Sequence, residues 1–328
     1  MTFAAPAFLG IGSPMVDLVS AVDDAFLERL SGEKGGRLAV SAEEMRQILS
    51  VLPGAPRMFP GGSAANTALA VARTGVPASV LGMIGNDAEG VLFRESLKRS
   101  GGSDRELIGV PGDTGKCLVL VTPDAERTMR ANLGVSSRIT AAEVTARDYS
   151  PYAIAEIEGY MFFAGIVGAA AEALRRDGVK TALDLASFEV VRQFRQELMQ
   201  ILPGIDILLA NEEEAAELTG KNDPAAQLAA MGRMVPLAVL KRGAKGALIR
   251  TGDGAVIPIP AETVPAVDTT AAGDLWAAGF FSGLLRGWSP ERAGRLGAHL
   301  SALVVQVPGS QLAPEVWSKL VQEIASGD

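Results

Sequence analysis

Residues 180–220, KTALDLASFEVVRQFRQELMQILPGIDILLANEEEAAELTG, decide the fold. Two short apolar runs, KTALDLA (180–186) and IDILLA (205–210), bracket VVRQFRQELMQIL (190–202), whose apolar residues recur at helical spacing. The alternation extends both ways. YMFFAG (160–165) reads as a strand, AAEALRRDG (170–178) and EEEAAELTG (212–220) as helices, and PLAVLKRG (236–243) as a further strand. Apolar strands alternating with amphipathic helices indicate a parallel sheet covered on both faces.

The N-terminal third is more mixed. A strand is expected at Phe8–Gly12, a helix from about Ala64 to Thr74 ended by Gly75, and a strand over 78–85. Asp87 caps a helix running to about Arg99. KCLVLVT (116–122) and RTMRANL (127–133) are strand-like, with Pro123-Asp124 as the turn between them. Residues 14–45 are polar, with a tight turn at SGEKGG (31–36). At the other end helices are expected at 274–286 and 290–305, the second with Ser289 as N-cap and Pro290 at N1. Gly279 and Gly283 share a face of the first and permit close packing. There are no repeats, low-complexity tracts or interdomain linkers.

The bulk numbers exclude several function classes. A chain of 328 residues suits one large α/β domain, and a net charge of −8 argues against a nucleic-acid partner. With one cysteine, Cys117, and one histidine, His299, disulfide frameworks and Cys/His metal sites are excluded. Cys117 reads as an apolar strand residue and His299 as an ordinary helix residue. Mean hydropathy is +0.23. Even so, the longest uncharged helical-looking run, Gly159–Ala171, is too short to span a bilayer. The start, MTFAAPAFLG, has no basic segment, so no signal peptide and a cytoplasmic location are expected.

The chemistry concentrates in DTTAAGDLWAAGF (268–280). Ala271, Ala272 and Gly273 lead into Asp274 and a run packed with small residues. A helix start of this kind leaves N–H groups for an anion, and its dipole favours an ionised Asp274. An anion hole beside a carboxylate base suits transfer of a phosphoryl group to a hydroxyl. The bland alternative is an acid in the first turn of a buried helix.

Other motifs carry paired readings. In PGGSAANTALAVARTG (60–75), Gly61 and Gly62 free the backbone, Ser63 opens the helix and Asn66 offers a donor and an acceptor to a sugar hydroxyl. The alternative is a glycine turn with a serine cap. Asn211 and Glu214 either organise the water shell of Mg²⁺ near ATP phosphates or form a capping box. Asp17, just past the first strand, either binds two neighbouring sugar hydroxyls or is a solvated turn residue. Lys241, Arg242 and Gly243 end another strand, where ligands of parallel sheets collect. GDTGKC (112–117) and GIGSPM (10–15) fail the P-loop and dinucleotide patterns.

Together these segments resemble the PfkB, or ribokinase-like, family of sugar and nucleoside kinases over nearly the whole chain. GGSAAN (61–66) and DTTAAGD (268–274) resemble the family's two signatures, NEEE (211–214) its N-x-x-E motif, and KRGAKG (241–246) its strand–loop element near the nucleotide. The opening GIGSPMVDLVSAVDDAFLERL, TGKCLVLVTPDAERTMRANLG (114–134) and GAHLSA (297–302) resemble the adenosine-kinase-like branch. Ser13 and Ala65 stand where that branch often has Asn and Gln, and Phe188 is a candidate aromatic for a purine.

The resemblance implies a three-layer α/β/α fold with a mostly parallel sheet and a small β-sheet lid. Segments 1–13, 46–108 and 136–328 would form the core, and 14–45 with 109–135 the lid. It implies an ATP-dependent kinase acting on a primary hydroxyl of a sugar or nucleoside. Asp274 would be the base, with Gly273, Ala272 and Ala271 around the anion hole. Asp17, Gly61, Gly62, Ser63 and Asn66 would hold the acceptor. Asn211, Lys241, Arg242, Gly243 and Gly246 would lie by the nucleotide, with Asn211 and Glu214 serving Mg²⁺. K⁺ would sit by backbone at Asp268 and Thr270 and the loop Val307–Gln311. A homodimer is compatible with this reading. The alternative is a non-catalytic sugar- or nucleotide-binding regulator on the same scaffold.

Overall fold

The computed structural model describes residues 6–124 and 126–326. Residues 1–5, the start of the stretch read as leaderless, and Ala125, in the expected lid, lie outside the described residues. The first part of the chain carries β1 (Ala7–Ile11), β2 (Met15–Ala21), β3 (Arg37–Ala39), β4 (Arg57–Gly61), β5 (Ala78–Gly85), β6 (Leu107–Val110), β7 (Gly115–Val121) and β8 (Arg127–Asn132). The rest carries β9 (Tyr152–Glu158), β10 (Lys180–Asp184), β11 (Ile207–Asn211), β12 (Leu237–Lys241), β13 (Ala247–Arg250) and β14 (Val256–Ile259).

Two sheets result. The large one runs β14-β13-β12-β11-β10-β9-β1-β5-β6 and is parallel from β6 to β12, with β13 and β14 antiparallel at one edge. The small one runs β3-β8-β7-β2-β4. Its inner face packs on helices α1 (Asp24–Leu27) and α2 (Ala42–Ser50), through Phe26, Leu27, Met45 and Ile48. One face of the large sheet is covered by α3 (Ser63–Arg73) and α4 (Ala88–Arg99). The other is covered by α5 (Ala141–Thr145), α6 (Val167–Arg176), α7 (Phe188–Gln193), α8 (Arg195–Ile201), α9 (Glu212–Thr219) and α10 (Pro224–Met231). Helices α11 (Ala272–Leu285), α12 (Pro290–Val304) and α13 (Pro314–Ser326) return to the first face. The three layers and the lid-like second sheet agree with the expected fold. Among the described residues no helix is long and apolar enough to cross a membrane.

The helix starts are legible. Asp23, Ser41, Asp87, Ser187, Asn211, Asp223 and Ser289 each accept a hydrogen bond from a first-turn N–H. Helices α3 and α11 begin instead at Gly62 and Ala271, with no side-chain cap. Ala271 lies at φ 59, left-handed backbone that an alanine adopts at a cost of roughly 1 kcal/mol. Ala186, at φ 63, is the other non-glycine residue in that region among the described residues.

Three sequence expectations are corrected. YMFFAG is not a strand: β9 ends at Glu158 and Gly159–Phe162 forms a short 3-10 helix. The true strand carries Glu156 and Glu158, both buried, so its hydrophobic pattern is broken by residues that belong inside. Residues 190–202 are two helices that part at Phe194, whose ring stacks on Phe162 at 5.5 Å and meets Phe163 edge-on. The small sheet does not follow the bounds 14–45 and 109–135 expected for a lid. β4, placed by the sequence in the core segment 46–108, pairs antiparallel with β2 in the small sheet, whereas 109–110 belong to β6 of the large sheet.

The Gly279–Gly283 face acts as expected. A Cβ on Gly279 would stand 2.6 Å from the Gly297 nitrogen, and one on Gly283 would stand 2.7 Å from the Ala293 Cα. Helices α11 and α12 therefore meet backbone to backbone. Gly279→Ala should cost about 1–3 kcal/mol by overpacking. Urea unfolding checks this, and an unchanged midpoint would show that the helices can slide apart freely.

Candidate active site

In the large sheet β1 lies between β9 and β5, so the chain turns outward on both sides of it. Ligands of open parallel sheets sit at the carboxyl ends of the strands, at such a switch point. There a cavity of about 810 Å³ opens between the core and the small sheet. Ser13, Gly62, Asn66, Glu158, Gly273 and Asp274 line it from the core. Met15, Asp17, Cys117, Val119, Met129 and Leu133 line it from the small sheet.

Asp274 occupies the first turn of α11 and is half-buried, facing the cavity. Ser63 Oγ donates to its Oδ1 at 2.8 Å and Asn66 Nδ2 to its Oδ2 at 3.0 Å. Thr67 Oγ1 donates to its carbonyl at 3.3 Å. Helix α3 thus grips the carboxylate from residues 63 and 66 and the backbone carbonyl from residue 67. Removal from water pushes the Asp274 carboxyl up to about 6, against the Asn66 and Ser63 donors that favour the ion. The helix dipole expected to keep this acid ionised therefore works against desolvation, which is the largest influence. Asn66, read as a sugar ligand, spends its amide on Asp274, while its Oδ1 is buried without a hydrogen-bond partner.

Of the N–H groups expected to form an anion hole, one is already engaged. The Ala272 N–H donates to the Thr269 carbonyl at 3.2 Å, which leaves Gly273 and Asp274 as its N–H candidates. A Cβ on Gly273 would lie 3.2 Å from Lys241 Nζ, so an ammonium adjoins this helix start. Lys241 ends β12 and pairs with Asp184 Oδ2 at 2.6 Å. Burial works against its charge, but Asp184 and Glu214 outweigh it and hold the Lys241 pKa above its ordinary value.

Asn211 and Glu214 form the capping box: Asn211 Oδ1 accepts from the Glu214 N–H at 2.9 Å, and Glu214 Oε2 accepts from the Asn211 N–H at 2.8 Å. Burial and the neighbouring Asp184 push the Glu214 carboxyl up to about 7, with Lys241 opposing. Arg242 pairs with Glu212 at 3.0 Å, and Gly243 and Gly246 shape the turn after β12. These residues, expected by the nucleotide, do not line the cavity itself.

Asp17, expected to hold the acceptor, projects from β2 into the cavity, against Gly61. Gly62, at φ 100, passes so close to the Ser13 carbonyl that a Cβ would stand 2.1 Å from its oxygen. Asp268 is committed. Its carboxylate accepts from Arg127 of β8, from the Thr270 N–H and from the Gly309 N–H. It thereby joins the two segments read as a K⁺ seat and ties the small sheet to the core.

The sequence missed Glu156, Glu158, Asp184, Tyr160 and Arg127. Asp184 had a signal, the acid at the end of the KTALD run, whereas the two glutamates were hidden in a misplaced strand. Phe188 lies under Arg192, 5.3 Å from guanidinium to ring, and not in the cavity, where Tyr160 is the aromatic. Cys117 is a cavity wall residue of β7. His299 lies in α12, where its Nδ1 is 2.8 Å from Glu262 Oε1.

Comparison with known proteins is consistent with this geometry. Residues 36–317 match the pfkB family of carbohydrate kinases. An ATP-dependent ribose-1-phosphate kinase of Halopiger xanaduensis is 30% identical over 79% of this chain and 84% of its own. The adenosine kinase of Sinorhizobium meliloti superposes with a TM-score of 0.86 at 27% identity, covering 99% of this chain and 100% of its own. A probable sugar kinase of Rhizobium etli CFN 42 gives 0.86 at 26% identity, with 99% of each chain covered. The chain belongs to the pfkB carbohydrate kinase family, is a sugar or nucleoside kinase, and agrees with the adenosine-kinase-like branch.

Lys241→Met leaves Asp184 and Glu214 buried without their cation. It should destabilise the fold by about 3–5 kcal/mol, read as a fall in urea midpoint. A midpoint within error of the parent would show that the ammonium does not hold these acids in place.

Proposed function

We propose that this member of the pfkB family transfers the γ-phosphoryl group of ATP to a primary hydroxyl of a sugar or nucleoside, with Asp274 as general base. The observation that carries the reading is Asp274 itself. It sits at a helix start with no capping side chain, gripped by Ser63 and Asn66, beside Lys241, on a cavity shielded by a second sheet. A carboxylate with a pKa of about 6 is still mostly ionised at neutral pH and is a stronger base than a free aspartate. It takes the hydroxyl proton as the new O–P bond forms. The Gly273 and Asp274 N–H groups and the Lys241 ammonium meet charge developing on the transferred group.

The residues present fit Mg²⁺ held through its waters. Among the described residues no three acidic, His or Cys side chains gather to cage a metal, while Asp184 and Glu214 stand together near the helix start. Asn211 and Glu214 would hold that water shell, and the ion would neutralise phosphate charge when bound. For K⁺, Asp268 and Thr270 would serve through backbone carbonyls, since the Asp268 carboxylate is occupied.

Asp17 and the unpartnered Asn66 Oδ1 are the groups for the acceptor's hydroxyls. The far wall is Met15, Val119, Met129 and Leu133, an apolar surface that suits a base better than a bare polyol. This favours a nucleoside over a free sugar.

The test is ADP release from MgATP, with and without K⁺, across adenosine, inosine, cytidine, ribose, fructose and 2-keto-3-deoxygluconate. A nucleoside is the expected acceptor. Binding of ATP without turnover on any acceptor would favour the regulatory reading. Asp274→Ala should lower kcat about 10²–10⁴-fold with acceptor affinity nearly unchanged. Because the base must be ionised, kcat/KM should rise with pH through about 6 and level off above it. Near-native turnover of Asp274→Ala would remove the base from the mechanism.

A further inference from the structure

The chain crosses between the core and the small sheet at four places: after β1, after β4, before β7 and after β8. The first two crossings carry the acceptor side of the site. Residues 12–14 lead to Asp17 on β2, and Gly62 leads to Ser63 and Asn66 on α3. Both meet one side chain. Glu158, the last residue of β9, is 2% exposed. Its Oε1 accepts from the Ser13 N–H at 2.8 Å and its Oε2 from the Ala64 N–H at 3.0 Å. A Cβ on Gly12 would fall 2.4 Å from Glu158 Oε2, so a glycine keeps this seat open. The close pass of Gly62 over the Ser13 carbonyl stacks the second crossing directly on the first.

The other two crossings have their own fastening. Asp87 accepts from the Thr114 N–H at 2.8 Å and from Thr114 Oγ1 at 2.5 Å. The Val135 N–H then donates to the Asp113 carbonyl at 2.9 Å and ties the fourth crossing to the third. At its crossings to the core the small sheet is therefore seated by two carboxylates, Glu158 and Asp87. Glu158 is the one whose side chain also lines the cavity.

We propose that Glu158 is the hinge pin of the acceptor side: a positioning residue that sets acceptor affinity by clamping the crossings that carry Asp17 and Asn66. The proposal rests on the kinase reading of this site. Its physical basis is that a carboxylate offers two acceptor oxygens to two N–H groups on separate segments, both buried. A glutamine offers one, and its NH₂ faces the other N–H. One crossing is then released, and a buried donor is left without a partner. Asn211, Lys241 and the start of α11 make no hydrogen bond to Glu158, and Asp274 reaches it through charge alone.

The experiment compares parent, Glu158→Gln and Glu158→Asp by steady-state kinetics and by peptide-resolved hydrogen exchange. Glu158→Gln should raise the acceptor KM about 10–100-fold, the loss expected for one unsatisfied buried donor. The MgATP KM and the kcat at saturating acceptor should stay within about threefold. Peptides covering 12–17 and 62–66 should exchange faster, while those of β10–β12 should not. Glu158→Asp keeps both oxygens on a shorter stem and should fall between. Unchanged acceptor KM and unchanged exchange in both peptides would overturn the proposal. So would a joint shift of both KM values and kcat with faster exchange throughout, which marks a merely structural residue. If the parent shows no turnover on any acceptor, the kinase reading fails. The exchange pattern still decides the pin: local loosening at 12–17 and 62–66 supports it, and its absence overturns it.

Discussion

Too many carboxylates share too little positive charge at the carboxyl end of the large sheet. Glu156, Glu158, Asp184 and Glu214 are each 5% exposed or less, and Asp274 joins them from α11. Lys241 is the ammonium that Glu156, Asp184, Glu214 and Asp274 face. Buried like charges cannot all stay ionised cheaply, and each must find donors or give up its charge. Asp184 takes Lys241 and the Ala186 N–H, Glu214 takes Asn211, and Glu158 takes two backbone amides from other elements. Glu156 is the least satisfied: one of its oxygens has no partner, and burial with Asp184 and Asp274 nearby raises its pKa. The two site helices lack side-chain caps at the same place. The region is thus held by side-chain and backbone donors from several elements rather than by helix caps, as expected where function and stability compete.

Most of the architecture was legible because it rests on local chemistry. The strand–helix alternation of 180–243, the Asp87 and Ser289 caps and the Gly279–Gly283 contact all follow from neighbouring residues. What failed depended on partners distant in sequence. β9 was misplaced because Glu156 and Glu158 interrupt its apolar run, and nothing local shows that Ser13 and Ala64 await one of them. β4 was given to the core because RMFPG has no alternation and finds its pairing only with β2. Within the site, Asp274, Asn211 and Lys241 were found by their position after strands or at a helix start. Their actual partners, Asn66, Glu214 and Asp184, were not all foreseen. The Asn211–Glu214 pair shows why motif reading stays double: its spacing describes a cap as well as a ligand set, and the cap is present.

The two sheets are also joined by charge. Arg127, on β8, reaches Asp268, which also holds the Thr270 and Gly309 N–H groups. The loop that leads into α11 is therefore tied to the small sheet. Glu158 and Asp87 fasten that sheet at its root, and Arg127 fastens it at its far side. The seating of the small sheet and the geometry around Asp274 are parts of one connected structure.

The strand order has a consequence during synthesis. By the time residue 132 has left the ribosome, every strand of the small sheet has emerged, but only β1, β5 and β6 of the large one. β1 is destined for the middle of that sheet, yet its second edge waits for β9, more than a hundred residues later. At about 5–20 residues per second the nascent chain carries that open, apolar edge for several seconds or longer. An exposed edge of this kind invites pairing with other chains. The delayed arrival of β9 makes the half-made protein a natural client for chaperones, and stalled or truncated products ending before Glu158 should be the aggregating species in a cell that overproduces it.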